Sequence, residues 1–518
     1  MHGIPTRAQG PRPATYVPVL IDDGIRTAAR TAPHRPAIGF GDATLTYAEL
    51  DERIARVASG AHDGLQLTPG VPAAVLAPNC LEYMELVCGL SAVGVPAVTI
   101  NPRASATEVA AMCGDAGAQA LFVHPTLHDA VVEAVGGDVP HVIPIDERYE
   151  QWLRDASPRR PAVEVEEWDA FSIPYTSGTT GEPKGVVLSH RSRTLAFLGM
   201  ASEFGTYTPD DRTLAISPLC HGGGFAFAAA SLFFGGFCQV ASRFDPEEVL
   251  RALAEGRTTS VFLVPTHLQA ILELPPATLE RWRPRELRAL VSGGAPLRQA
   301  TKERVIEALG DGMLYENYAS TEAGSLTNLR PADQLRKPGS VGLPTPCTQI
   351  RLVDDAGNDV PTGEVGEIHA RTPTLFSGYW GRPEATEAVF RDGWVTCGDY
   401  ARRDEEGYLY IVDRKDDKII SGGVNVYPRE IEESLARHPA VAEVAVYGVP
   451  DDYWGEAIQA AVTLRDGQAA SAEELAAFCE DLGRYKVPKA FVFMDELPRN
   501  AAGKILRSAL RERQGGPR

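Results

Sequence analysis

The stretch that decides the fold is Tyr175–Gly185, YTSGTTGEPKG, in which glycines, a serine and threonines run together and one lysine, Lys184, follows a proline. Successive Gly, Ser and Thr residues can turn N–H and O–H donors inward and make a concave nest for phosphate oxygens. The lysine adds a point charge. A Walker A loop is excluded: that loop ends in Gly-Lys-Ser/Thr, whereas here Pro183 precedes the lysine and Gly185 follows it. An ordinary surface turn of the same composition is the competing reading. The preceding AFSIP (170–174) reads as a strand, which places the loop at a strand end, where ligand loops gather.

Working outward, short apolar runs alternate with amphipathic stretches. AAVLAP (73–78) precedes the helical CLEYMELVCGLSAVG (80–94); then come PAVTIN (96–101), the helical SATEVAAMCGDAG (105–117) and QALFVH (119–124). That βαβαβ alternation predicts a parallel, doubly wound sheet. TSVFLVP (259–265), THLQAILEL (266–274) and LRALVSGG (287–294) repeat the pattern. After about residue 340 the texture changes to short strands and turns, QIRLVDDAGNDV (349–360) and VGEIHAR (365–371), which predict a small β-rich unit. Beyond the charge-rich VDRKDDK (412–418) lie the Pro-started helix YPREIEESLARH (427–438), the strands VAEVAVYGV (441–449) and AIQAAVTL (457–464), and a helix opened by a capping box, Ser471 with Glu474.

The totals bound the answer. At about 150 residues per domain, 518 residues allow about three to four folding units, and 44% hydrophobic content supports a large core. A net charge of −19 without a clustered basic run argues against a nucleic-acid partner. It does not exclude a polyanionic ligand held by a few local lysines and backbone N–H groups. Cysteines 80, 88, 113, 220, 238, 347, 397 and 479 form no CxxC pair, so reduced thiols are expected rather than disulfides or a zinc site. The N-terminus MHGIPTRAQGPRPATY has no apolar core of a secretion signal, so a cytoplasmic location is expected. The apolar run Gly222–Cys238 falls short of a membrane span and reads instead as a buried helix leading into a strand.

The loop resembles the signature of the adenylate-forming superfamily: acyl-CoA synthetases, nonribosomal adenylation domains and firefly luciferase. Further motifs follow in the family's order. PLCHGGG (218–224) matches the segment whose histidine borders the acyl pocket, VSGGAPL (291–297) the adenine-side loop, and YASTE (318–322) the Tyr-Gly-x-Thr-Glu motif. WVTCGD (394–399) resembles the Thr-Gly-Asp motif with Cys397 inserted, VDRKDDKIISGGVNVYPREIE (412–432) the hinge and first loop of the C-terminal domain, and PRNAAGKILR (498–507) the terminal lysine motif. The resemblance implies an α/β architecture: a large N-terminal domain (1–415) with doubly wound sheets and a small β-rich subdomain, then a small mobile α+β C-terminal domain (416–518) carrying the catalytic lysine.

It also implies an activity, AMP-forming acid–thiol ligation with ATP, Mg2+ and CoA, and a role for each motif residue. Thr176, Ser177, Gly178, Thr179, Thr180 and Lys184 would hold the β- and γ-phosphates. Gly294, Ala295, Pro296, Tyr318, Ala319 and Ser320 would border the nucleotide, with Tyr318 stacked on adenine and Thr321 at the α-phosphate. Glu322 would ligate magnesium, which prefers few protein carboxylates beside phosphate oxygens. Asp399 would take both ribose hydroxyls, since a fixed carboxylate accepts two bonds at once, and Arg414 would join it unless it forms a solvated salt bridge. Lys504 would bridge the attacking carboxylate and the α-phosphate, Asp416 would serve as hinge, and Gly422 and Gly423 would line the pantetheine path. Tyr485 and Lys489 would meet the CoA nucleotide or else be a packed aromatic and a solvated charge.

For the acyl pocket the resemblance points to His221, Gly222, Gly223, Phe225, His267 and Ala319. A lone histidine beside apolar residues is often structural; here His221 is expected to gate the pocket without acid–base chemistry. No arginine stands among these walls, which argues against a dicarboxylate such as malonate, and Gly222 stands where amino-acid-activating relatives carry an aspartate. An apolar acid, fatty or aryl, is therefore expected. Ala319, where the motif usually has glycine, would favour slim aliphatic chains over rings. Rival readings are an acyl-AMP ligase loading a carrier protein, a luciferase-like oxidase, and a non-catalytic nucleotide sensor. The oligomeric state, monomer or homodimer, is left open.

Overall fold

The structure, a computed structural model, describes residues 15–177, 183–422, 424–451, 453–499 and 505–514. Packing divides the chain into two compact units, Met1–Ile350 with Ala370–Val395, and Arg351–His369 with Thr396–Arg518. These units part at other positions than the 415/416 boundary expected from sequence. The reason is local: the Asp413 carboxylate accepts the Arg429 N–H at 2.8 Å, and Tyr400 meets Tyr427 edge to face at 5.9 Å. Residues on either side of 415/416 are thereby packed into one unit.

In the first unit the expected βαβαβ passage forms an eight-stranded sheet among the described residues. Ala97–Ile100, Ala73–Leu76, Ala120–Val123 and His141–Pro144 run parallel in that order, so the chain winds to both sides of its first strand. The strands from Ala73, Ala97 and Ala120 are buried throughout, as parallel strands covered on both faces must be. The Ala106–Ala116 helix starts from a complete capping box, Ser105 with Glu108, and stops at Gly117 in the left-handed region. At the sheet's other edge the order turns antiparallel: Ala170–Ser172 pairs Pro183–Ser189, which in turn pairs Gly378–Tyr379.

The second sheet of this unit has nine strands among the described residues. Arg212–Ala215, Ser260–Leu263, Ala289–Gly293 and Leu314–Ser320 lie parallel, and Gly324–Leu329 returns antiparallel. The apolar run from Gly222 becomes the Gly222–Phe233 helix and the Phe237–Val240 strand. No helix among the described residues is long and apolar enough to cross a membrane. This helix lies between the sheets: Phe227 stacks on Phe262 of the nine-stranded sheet at 4.7 Å, and Phe225 meets Phe171 of the other at 5.8 Å.

The second unit's sheet pairs Val441–Asp451 antiparallel with Gly455–Leu464, as the alternating pattern predicts. The Pro428–Leu435 helix has proline in its first turn. Only half of the expected capping box forms: Ser471 accepts the Glu474 N–H at 3.1 Å, while the Glu474 carboxylate lies 3.3 Å from His438 Nε2.

Gly293 sets the spacing of two strands that carry motif residues. A β-carbon there would stand 2.6 Å from the Asn317 carbonyl oxygen, a backbone atom that cannot swing aside. Gly293→Ala is expected to lower stability by about 1–3 kcal/mol through overpacking, read as a lower urea midpoint at unchanged slope.

Candidate active site

The strands that flank the loop form an antiparallel pair. Tyr175–Ser177 pairs antiparallel with Pro183–Ser189, setting Thr176 opposite Lys184. Gly178, Thr179 and Thr180 lie outside the described residues. Gly185 is a glycine for packing reasons: a β-carbon would sit 2.8 Å from Ile173 and 3.3 Å from Trp380. The Tyr175 hydroxyl donates to Asp115 at 2.7 Å, which anchors the hairpin base.

The residues expected at the nucleotide gather where parallel strands end. Gly294, Ala295 and Pro296 leave Ala289–Gly293, and Tyr318, Ala319 and Ser320 close the neighbouring Leu314–Ser320. Crevices outside the carboxyl ends of such strands are where open α/β sheets bind ligands. Gly294 holds a φ of +81°, a conformation that favours glycine. The Ala323 N–H donates to Ser320 Oγ at 3.0 Å, making a tight turn that presents Thr321 and Glu322. A segment from late in the unit clamps this turn: the Phe376 N–H donates to the Glu322 carbonyl at 2.7 Å, and Thr374 Oγ1 to the Ala323 carbonyl at 2.9 Å.

Tyr379 was not foreseen from sequence. Its hydroxyl donates to Glu322 Oε1 at 2.9 Å, and Lys184 Nζ lies 5.5 Å from its ring centroid. One aromatic side chain thus touches both the hairpin lysine and the carboxylate expected to hold magnesium. Glu322 keeps a second oxygen for a cation, and one carboxylate beside phosphate oxygens suits magnesium. The residues present therefore fit the ion.

His221 caps the N-terminus of the Gly222–Phe233 helix. Its Nε2 lies 3.2 Å from the Asn101 side-chain amide nitrogen, within hydrogen-bond distance. Asn79 steadies the approach, donating to the Ile216 and Ala241 carbonyls at 3.1 Å and accepting the Leu219 N–H at 2.9 Å. The expected acyl walls split over two faces of the helix. On one, the Phe262 ring is wedged between two glycines: β-carbons at Gly223 and Gly293 would stand 3.0 and 3.5 Å from it. Phe227 stacks on Phe262 and meets Phe204, which meets Tyr315, so a row of aromatic rings lines this face. On the other face Phe225 packs on Phe171, beside a small cavity that His221, Gly222 and Arg193 also line. The sequence reading placed no arginine beside the acyl site; Arg193, from the His190–Phe204 helix, stands there. Ala319 is exposed, so its methyl is open to a ligand.

The second unit brings together its own set. Asp399 and Arg414 sit directly opposite on paired strands, with Arg414 Nε 3.4 Å from Asp399 Oδ1. The carboxylate is buried and the guanidinium half exposed, so the arginine can swing to a ligand without uncovering Asp399. Asp416 lies in the turn Lys415–Asp417, flanked by Lys415 on Glu367 and Asp417 on Arg507, each at 2.8 Å. Gly422 and Lys489 converge on Trp454, another residue the sequence did not single out. A β-carbon at Gly422 would meet its ring at 2.9 Å, and Lys489 Nζ lies 5.0 Å over it. Tyr485 is half exposed. Gly423 and Lys504 lie outside the described residues.

His267 stacks on Phe244 at 4.0 Å, and its buried Nδ1 has no hydrogen-bond partner. Burial pushes its pKa down to about 4, so the folded ring is neutral at neutral pH. The sign follows: this stability is present above the unfolded value of about 6.5 and is lost as pH falls through the window toward about 4, because the unfolded chain takes up the proton first. Urea midpoints are expected to drop between pH 7 and pH 5, and His267→Leu to flatten part of that slope.

Comparison with known proteins completes the site. The AMP-binding enzyme family pattern matches residues 25–380, and that of the AMP-binding enzyme C-terminal domain matches residues 430–504. A feruloyl-CoA synthase from Amycolatopsis sp is 38% identical over 94% of this chain and 97% of its own length. A long-chain-fatty-acid–CoA ligase from Escherichia coli O6:H1 is 33% identical over 96% and 95%. The structure of o-succinylbenzoate CoA synthetase (MenE) from Bacillus subtilis, in complex with its acyl-adenylate intermediate, superposes with a TM-score of 0.85 at 30% identity, covering 97% of this chain and 99% of that one. The chain belongs to the AMP-binding, adenylate-forming enzymes and is an AMP-forming acyl- or aryl-CoA ligase.

Proposed function

We propose that the enzyme joins a compact apolar carboxylic acid, a fatty acid in the first instance, to CoA through an acyl-adenylate. In the first half-reaction a carboxylate oxygen bonds to the α-phosphorus of ATP, the bond to the β-phosphate bridging oxygen breaks, and pyrophosphate leaves. In the second, the CoA thiolate attacks the acyl carbon and AMP leaves. The observation that carries this reading is the meeting of Lys184, Tyr379 and Glu322 from three distant parts of the chain. A cation and a carboxylate gathered about one aromatic side chain suit a polyphosphate with its magnesium. The ion, when bound, would neutralise charge on the phosphates as they separate.

The chain's own residues do the rest by position and charge. The hairpin N–H and O–H groups with Lys184 hold the β- and γ-phosphates. Thr321 meets the α-phosphate, Tyr318 lies against adenine, and Asp399 with Arg414 takes the ribose. Lys504 cancels charge as the new bond forms. Asp416 absorbs the dihedral change between the half-reactions, and Gly422, Gly423, Tyr485 and Lys489 receive CoA. The aromatic face on which Phe262 packs against Gly223 and Gly293 and stacks on Phe227 would form the acyl slot, and that lining supports an apolar chain of limited length. An aryl acid is the second reading, favoured by the similarity to a feruloyl-CoA synthase.

The direct test is pyrophosphate release over a panel of aliphatic and aromatic acids. Lys504→Ala is expected to slow that release by roughly 10²–10³ while leaving thiolysis of supplied acyl-adenylate largely intact; equal loss of both steps would refute the role. Phe262→Ala is expected to shift the preferred acid to longer chains, seen as a changed order of kcat/KM. An unchanged order would remove the slot from the acyl site.

A further inference from the structure

Arg193 is the anomaly of the first unit. It is the fourth residue of the His190–Phe204 helix and is 7% exposed. One Nη–H donates to the Thr321 carbonyl at 3.4 Å, and the buried Nε has no partner. Among the described residues no carboxylate pairs with it. The nearby surfaces are apolar, Phe171, Leu188 and Phe225, with Ser172 and His221 completing the cavity it lines. Burial lowers its pKa to about 10, which leaves it a cation at neutral pH.

Each of these facts opposes stability. An unpaired buried charge is strongly disfavoured, and the first turn of a helix is the positive end of its dipole, where a cation is least welcome. A leucine or methionine at this position would pack on Phe171, Leu188 and Phe225 without either cost. A buried cation beside a cavity that reaches His221 and Gly222 is therefore suited to meet an anion that arrives. The phosphates have their own cradle at the hairpin, so the anion left to enter beside His221 is that of the acid.

We propose that Arg193 and the cavity beside His221 form a carboxylate subsite for the acid substrate. This rests on the reading of the protein as an acid–CoA ligase. The carboxylate has two sources: the group to be activated, held before attack, or a second carboxylate on a diacid. A hydrogen bond to Thr321 places the same guanidinium behind the turn that carries Glu322, so acid and nucleotide sites share one anchor.

The test uses the full chain with Arg193→Met and Arg193→Lys, and butyrate, benzoate and succinate as probes. Arg193→Met is expected to raise the KM for acid roughly ten- to a hundredfold, the span of a charge-assisted hydrogen bond, with the KM for ATP little changed. Arg193→Lys is expected to recover part of the loss. Without ligand, Arg193→Met is expected to unfold at the same or a higher temperature than the parent, since it removes an unpaired charge; a merely structural arginine would lower it. Each acid that binds should raise the parent's unfolding temperature and not that of Arg193→Met. An effect on all three acids assigns the subsite to the reacting carboxylate; an effect on succinate alone assigns it to a second one. An acid KM and a thermal shift that Arg193→Met leaves unchanged would overturn the proposal, as would a lowered unfolding temperature with unchanged acid KM. Absence of pyrophosphate release by the parent would instead fail the ligase reading, and the thermal shifts would still decide the subsite.

Discussion

A pairing of two residues holds the candidate site together. Gly378–Tyr379 adds to the edge of Pro183–Ser189, setting Tyr379 opposite Val186 and Gly378 opposite Val187. The backbone continues the grip, with the Ser377 N–H on the Val187 carbonyl at 2.9 Å and the Trp380 N–H on the Gly185 carbonyl at 2.8 Å. The same segment clamps the Thr321–Glu322 turn through Phe376 and Thr374. A polyphosphate site must hold its cation and its carboxylate in fixed relation, yet the hairpin and the turn belong to different sheets. The 372–380 segment supplies that relation, and Gly185 leaves room for it, since a β-carbon there would stand 2.8 Å from Ile173 and 3.3 Å from Trp380.

Much of this was legible in the sequence, and the reason is period. The apolar runs from Ala73 to Val123 can be nothing but buried strands separated by helices, and they folded as such. The run from Gly222 is too polar at its ends and too broken by glycine to be a span, and it is a helix and a strand. The motifs that carry Glu322, Asp399 and Arg414 lie at paired strands: Glu322 in the turn after Leu314–Ser320, and Asp399 opposite Arg414. Tyr379 and Arg193 were not legible. The first acts through a pairing almost two hundred residues away in sequence, and a two-residue strand has no pattern. The second sits in a helix start where an arginine reads as solvated; only its burial shows otherwise.

A chain of net charge −19 that handles anions must concentrate its cations. Lys184 stands over the Tyr379 ring, and among the described residues no carboxylate pairs with it. Arg193 carries the same logic further, because it is buried and unpaired. Two other arginines of the unit are held by carboxylates: Arg53 lies on Glu85 and Glu150, and Arg330 on Glu203. The contrast separates cations that hold the fold from cations that await a ligand.

The Gly222–Phe233 helix joins these threads, since its two faces pose different chemical problems. Residues 223 and 227, one turn apart, look onto Phe262 and give a dry aromatic face. Phe225, on the other side, looks toward Phe171 and the cavity of Arg193. His221 caps the helix where the faces meet, and its ring is tied to Asn101 on the end of a parallel strand. On the proposed reading, an acid whose chain lay on the dry face would bring its carboxylate to that helix start, beside the Thr321–Glu322 turn that Arg193 and the 372–380 segment both contact. The proposal thus assigns length selection and charge recognition to the two faces of one helix, so that a change of ring on one side should alter the preferred chain without disturbing the reacting end.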